Sequence, residues 1–146
     1  MENGRALGLL KQEMDAAIAS AQLYPELSEM ALDLGKAMAM LEKTTMTLGA
    51  VAMEKGPDAY LADASLFLEM FGILVIGWQW LTMADAALLA SGKEGLKKKD
   101  ALFYKGKVHV AHYFFSYELP KMEGLAQTLE NSGQMTLAMP GDCFTD

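Results

Sequence analysis

The chain has 146 residues, 52% of them hydrophobic, which is enough for one domain with a full core and too few to make two domains the default. A formal charge of −7 and a pI near 4.8 exclude general affinity for nucleic acid or an anionic membrane, because phosphate contacts would be repulsive over most of the surface. A single cysteine, Cys143, cannot form an internal disulfide and fits a reducing compartment, so the expected location is cytoplasmic.

Glu13 and Asp15 interrupt any apolar run near the start, so no signal peptide is expected there. A helical pattern directly after Met1 fits a fragment of a longer protein. From Arg5 to Gln22 the residues Leu7, Leu10, Met14, Ala17, Ile18 and Ala21 recur at threes and fours and predict an amphipathic helix. Pro25 is expected to begin the second helix, with Glu26 and Glu29 complementing its N-terminal dipole. Its core stripe is Leu27, Ala31, Leu34, Met38, Leu41, Thr45, Leu48 and Ala52, and Gly56-Pro57 ends it.

Asp58 is placed to cap the third helix, whose stripe is Tyr60, Ala64, Phe67, Phe71, Leu74, Trp78, Leu81, Asp85 and Leu88, up to a stop at Ser91-Gly92. Between Met70 and Ala84 no residue is charged. The flanking Glu69 and Asp85 fall on nearly opposite faces at ~100° per residue, which leaves the middle no face for water. A membrane span wants ~20 continuous apolar residues, and Gly72, Gly77, Gln79 and Thr82 interrupt this run; the expectation is a helix buried in a bundle.

The next stretch is basic: six of the twelve Lys and Arg residues (Lys93, Lys97, Lys98, Lys99, Lys105, Lys107) fall between positions 93 and 107. Asp100 is placed to cap a fourth helix with the stripe Tyr104, Val108, Ala111, Phe115, Leu119, Met122, Ala126 and Leu129. Pro120 lies inside it and predicts a bend near Ser116, not a stop, since the period continues past it. Asn131 to Gly133 end the helix. Without strand-like alternation or repeats, long helices joined by short turns predict an all-α fold: an antiparallel up-and-down four-helix bundle over 1–131 with a C-terminal tail over 132–146. The twelve methionines read as fillers of irregular core gaps in preference to a promiscuous peptide-binding surface.

Candidate chemistry is sparse. His109 and His112 share one side of a helix, but the Glu-x-x-His pairs of a di-iron bundle and the His-Glu-x-x-His of a zincin are both absent, so no metal site is expected. Asp85 reads as a structural buried carboxylate. Antiparallel registry brings it level with Lys105, Gly106 and Lys107, which predicts a salt bridge or a helix–helix hydrogen bond there; Glu69 has no obvious partner. The lysine cluster could hold a phosphate or the polyphosphate end of coenzyme A, and solvated lysines are the preferred reading. Tyr113, Phe114, Phe115 and Tyr117 spread over more than half a helix circumference, so one core stripe cannot bury them all; Tyr113, Phe114 and Tyr117 are the expected interface.

Two segments carry a family likeness: Phe71-Gly72-Ile73-Leu74-Val75-Ile76-Gly77-Trp78 leading to Ala84-Asp85-Ala86-Ala87, and Phe103-Tyr104-Lys105-Gly106-Lys107 leading to Phe114-Phe115-Ser116-Tyr117-Glu118-Leu119-Pro120. Together they resemble the C-terminal helical domain that follows the catalytic core in a subgroup of acyl-CoA dehydrogenases, including those similar to methylthiopropionyl-CoA dehydrogenase. The likeness runs from about Gly4 to Asn131. It implies a parent oxidoreductase of fatty acid metabolism that uses FAD to remove hydrogens from Cα and Cβ of an acyl-CoA, with a glutamate base in the preceding core. No Tyr-Glu-Gly-Thr-like base motif and no Gln-x-x-Gly-Gly flavin motif occurs here, so no catalytic, cofactor-binding or metal-binding residue is carried over. The resemblance implies an accessory domain with a structural or assembly role. Its partner would be the preceding dehydrogenase core or a second subunit in a homo-oligomer. A free-standing helical interaction module, or a small cofactor-binding bundle using His109 and His112, are the alternatives.

Overall fold

The computed structural model of the protein describes residues 5–144; the pattern after Met1 and the outer limits of the expected domain and tail lie outside the described residues. Every regular element among them is helical: α1 (Arg5–Ala21), α2 (Ser28–Lys55), α3 (Pro57–Leu61), α4 (Ala64–Ser91), α5 (Lys98–Tyr117), α6 (Lys121–Asn131), α7 (Met135–Ala138) and a closing 3-10 turn at Gly141–Phe144.

Helix starts differ from expectation by a few residues, for local reasons. Pro25 sits in a run of tight turns, where Leu27 donates to the Tyr24 carbonyl at 3.0 Å. Helix α2 begins at Ser28, whose hydroxyl donates to the Pro25 carbonyl at 3.0 Å. Gly56 then ends α2 with φ +89°, a conformation that costs a side-chain-bearing residue but not glycine. Asp58 falls in the first turn of α3, not at the start of the central helix. Asp63 precedes α4, and its carboxylate accepts a 2.6 Å hydrogen bond from Ser132. Asp100 likewise lies inside the first turn of α5, which starts at Lys98; there it complements the helix dipole without capping.

Pro120 stops the helix instead of bending it. The amides of Glu118 and Leu119 both donate to the Phe114 carbonyl, at 2.9 and 3.0 Å, and α5 ends at Tyr117. Proline offers no N–H and disfavours helical geometry in the residue before it. Pairs such as Met122 to Leu119, at 3.1 Å, then restart the chain as α6. The stripe survives the break: Ala111, Phe115, Leu119, Met122, Ala126 and Leu129 are all buried.

Helix α4 is central, touching α1, α2, α5 and α6. Its buried stripe is Met70, Leu74, Gly77, Leu81, Ala84 and Ala87. The expected stripe shares Leu74 and Leu81 with it, while Phe67, Phe71, Trp78 and Leu88 are only half-buried. Gly77 marks the closest approach. A Cβ there would lie 3.3 Å from a Leu119 methyl, 3.4 Å from the Phe114 ring and 3.6 Å from a Leu34 methyl, so α2, α5 and the turn after α5 crowd a position that has no side chain. Full burial of side chains such as Leu34, Leu41, Leu74, Leu81 and Leu129 contributes ~1.5–3 kcal/mol each.

Polar pairs tie the helices together at their margins. Lys11 on α1 meets Glu42 on α2 at 2.5 Å, and Lys43 on α2 meets Glu130 on α6 at 2.6 Å. The chain after α6 is held by Ser132 and by Gln134, whose side-chain oxygen accepts from Lys55 at 2.9 Å. The methionines divide: Met14, Met30, Met38, Met70 and Met122 are buried, whereas Met46, Met53, Met83, Met135 and Met139 are exposed.

Candidate functional site

The outer face of α4 departs most from the expectation of a helix surrounded on every side. Leu68, Ile76 and Met83 are 66%, 50% and 38% exposed, and only 28% of the most apolar eighteen-residue stretch of α4 is buried. By length and composition alone the helix could cross a bilayer. Its inner half is packed by four helices of the same chain, and among the described residues no element covers Leu68, Ile76 or Met83. Sequence reasoning required a cover for this helix and did not single out Leu68, Ile76 or Met83; the signal was the missing polar face.

The adjoining surface comes from α5. Lys107 places its ammonium 5.3 Å from the centre of the Phe103 ring and 5.9 Å from that of Trp80, within range of cation–π attraction from both helices. Tyr113 and Tyr117 stack with centroids 4.7 Å apart and remain 54% and 64% exposed. Phe114 does not join them. One residue on from Tyr113 it is turned by ~100°, toward α4, where the absent side chain of Gly77 admits its ring. Two of the three expected interface residues therefore face outward and the third belongs to the packing.

Asp85 is half-buried and accepts a 2.7 Å hydrogen bond from the Ser20 hydroxyl of α1. The expected helix–helix hydrogen bond is thus made, but with α1 and not with the lysine-bearing helix. Lys107, the level partner expected there, lies over aromatic rings. Glu69 is exposed. His109 and His112 are also exposed and border an open groove with Glu26, Leu88 and Lys105. Among the described residues no group of three or more His, Cys, Asp or Glu side chains is placed to share a metal. Lys93, Lys97, Lys98 and Lys99 all face water.

Glu130 is a structural carboxylate with a lowered pKa. Glu130 accepts from Lys43 at 2.6 Å and from Thr44, itself fully buried, at 3.0 Å. The Lys43 hydrogen bond holds its carboxyl below the usual range; burial opposes that shift and the Thr44 hydrogen bond assists it. The grooves are open, and no buried side-chain nitrogen or oxygen among the described residues is left without a partner.

These features define the class as an all-helical domain with an uncovered apolar helix face. A family model described as "Acetyl-CoA dehydrogenase C-terminal like" matches residues 10–140. The chain belongs to that family and is an acyl-CoA dehydrogenase C-terminal-like domain. The match includes both segments on which the resemblance was read, and extends beyond Asn131 through α7. Comparison with curated proteins finds no match.

Proposed function

We propose that this chain is the accessory C-terminal helical domain of an FAD-dependent acyl-CoA dehydrogenase, of the subgroup similar to methylthiopropionyl-CoA dehydrogenase. Its role is structural or in assembly, and it is not catalytic by itself. The observation that carries the reading is the uncovered outer face of α4 in a chain of this family. An apolar face of this kind marks an interaction site more often than a passive surface. The preceding dehydrogenase core or a second subunit covers it, in a cytoplasmic homo-oligomer whose flavin and catalytic base both lie in that core.

The domain is read as an antiparallel up-and-down bundle of four long helical segments, the fourth being α5 and α6 together. Contacts at matched levels support this. Lys11 pairs with Glu42, Ser20 with Asp85, and Lys43 with Glu130, while Gly77 lies level with Leu34 and Leu119.

The test is an absorbance spectrum and an acceptor assay on the purified chain. No flavin band and no acyl-CoA-dependent reduction of an artificial electron acceptor are expected. Stoichiometric flavin, or turnover with any acyl-CoA, would overturn the reading.

A further inference from the structure

We infer that the outer face of α4 is covered by the same face of a second copy of this chain, with the two α4 helices antiparallel about a two-fold axis at Gln79. The inference rests on the assembly reading above and commits it to one occupant.

A two-fold contact must be complementary to itself, and α4 meets that condition about one point. Ile76 and Met83, both exposed and apolar, lie three and four residues to either side of Gln79 and so come within about one residue of the same level across the axis, ~1.5 Å apart along the helix. Gly72 and Ala86, seven residues to each side, also meet. A Cβ at Gly72 would touch nothing within 4 Å in this chain, so two small residues with room between them meet at that level. Gln79 is exposed and polar and lies in the uncharged run, where Thr82, the other exposed polar residue, bonds its own helix through the Trp78 carbonyl. On the axis its amide faces its own copy, and an amide both donates and accepts. A single polar residue in an apolar helix contact is a recognised way of fixing register.

Charge completes the match. Residues 56–92 contain no Lys, Arg or His; Asp58, Asp63 and Glu69 lie toward the N-terminal end of this region, and Asp85, near the other end, is half-buried against Ser20 of α1. Positions 93–107 carry six lysines against Glu94 and Asp100. Ten residues of helix span ~15 Å, so antiparallel pairing about Gln79 brings Glu69 of one copy level with the end of α4 in the other, beside Lys93. Parallel pairing would set Glu69 against Glu69 and lysines against lysines.

Sedimentation of the whole chain at micromolar concentration tests this, alongside cysteine cross-linking in a Cys143→Ser background. A dimer is expected, with Met83→Glu monomeric and Glu69→Lys weakened about tenfold, since the symmetry repeats each lost exposed pair. Adding Lys93→Glu to Glu69→Lys restores the dimer, an outcome that a purely structural role for Glu69 would not produce. Gln79→Cys forms a disulfide between copies on mild oxidation and Leu68→Cys does not. Cross-linking of both would show parallel pairing and overturn the inference. So would a monomer at every concentration, or a monomer that floats with phosphatidylcholine–phosphatidylglycerol vesicles unless Met83 is replaced. None of these results bears on the flavin and turnover test of the assembly reading.

Discussion

On the inner face of α4, Met70, Leu74, Leu81 and Ala84 are wholly buried. Half a turn away, Leu68, Ile76 and Met83, equally apolar, are exposed. Apolar composition states that a surface needs cover; it does not state what supplies it. The inner face is distinguished by shape, because Gly77 lets side chains from α2, α5 and the turn after α5 converge on one point. On the outer face a Cβ at Gly72 would meet nothing within 4 Å. A face that its own chain fills and a face left for another body should respond differently to substitution, and that difference can be measured.

The largest effect is expected on the inner face. Leu74→Ala removes a fully buried side chain and should cost ~2–5 kcal/mol in a denaturant melt, as buried leucine truncations do. Gly77→Val should follow at ~1–3 kcal/mol, because its methyls have nowhere to go but into Leu119 and Phe114. If Gly77 tolerates valine without loss, the close approach is not what sets the inner face apart.

Smaller effects come from polar ties at the margins. Asp85→Ala leaves the Ser20 hydroxyl without its acceptor and should cost about 1 kcal/mol; a neutral result would show that the pair is solvated. Glu130 adds a pH dependence. Its folded carboxyl is held below its ordinary value, so its contribution is complete above the usual carboxylate range and is lost as pH falls through the lower folded value. Glu130→Gln should therefore flatten the acid side of a stability-versus-pH curve while changing its slope little near neutrality. An unchanged acid limb would remove Glu130 from the account.

What the sequence made legible follows the same division. The stripe of α5 and α6 was readable because lysines, histidines and glutamates separate its apolar positions, so Ala111 to Leu129 fell in the core in phase. The phase of α4 was not. With charges only at Glu69 and Asp85, several stripes were equally apolar, and the one chosen ran through Phe67, Phe71 and Trp78, which border the core without filling it. Phe114 was misplaced for a related reason: its inward turn depends on a glycine thirty-seven positions earlier, a relation invisible to any local period. The partner of Asp85 could not be read from registry across the basic turn, because Asp85 faces α1. The break at Pro120 turned on backbone hydrogen bonds, which apolar spacing does not report.

The smallest expected effect on stability belongs to the outer face, and it provides the most direct test of the central claim that α4 is packed by its own chain on one side and by another protein body on the other. Met83→Glu replaces an exposed residue and should change the denaturant midpoint by no more than ~0.5 kcal/mol, measured at a concentration where the wild type is dissociated. Sedimentation of this variant beside wild type and Leu74→Ala should give an associated wild type, a fully folded but monomeric Met83→Glu, and a Leu74→Ala that loses stability yet still associates while folded. A Met83→Glu chain that unfolds, or one that associates as the wild type does, would contradict the division of α4 into an inner and an outer face.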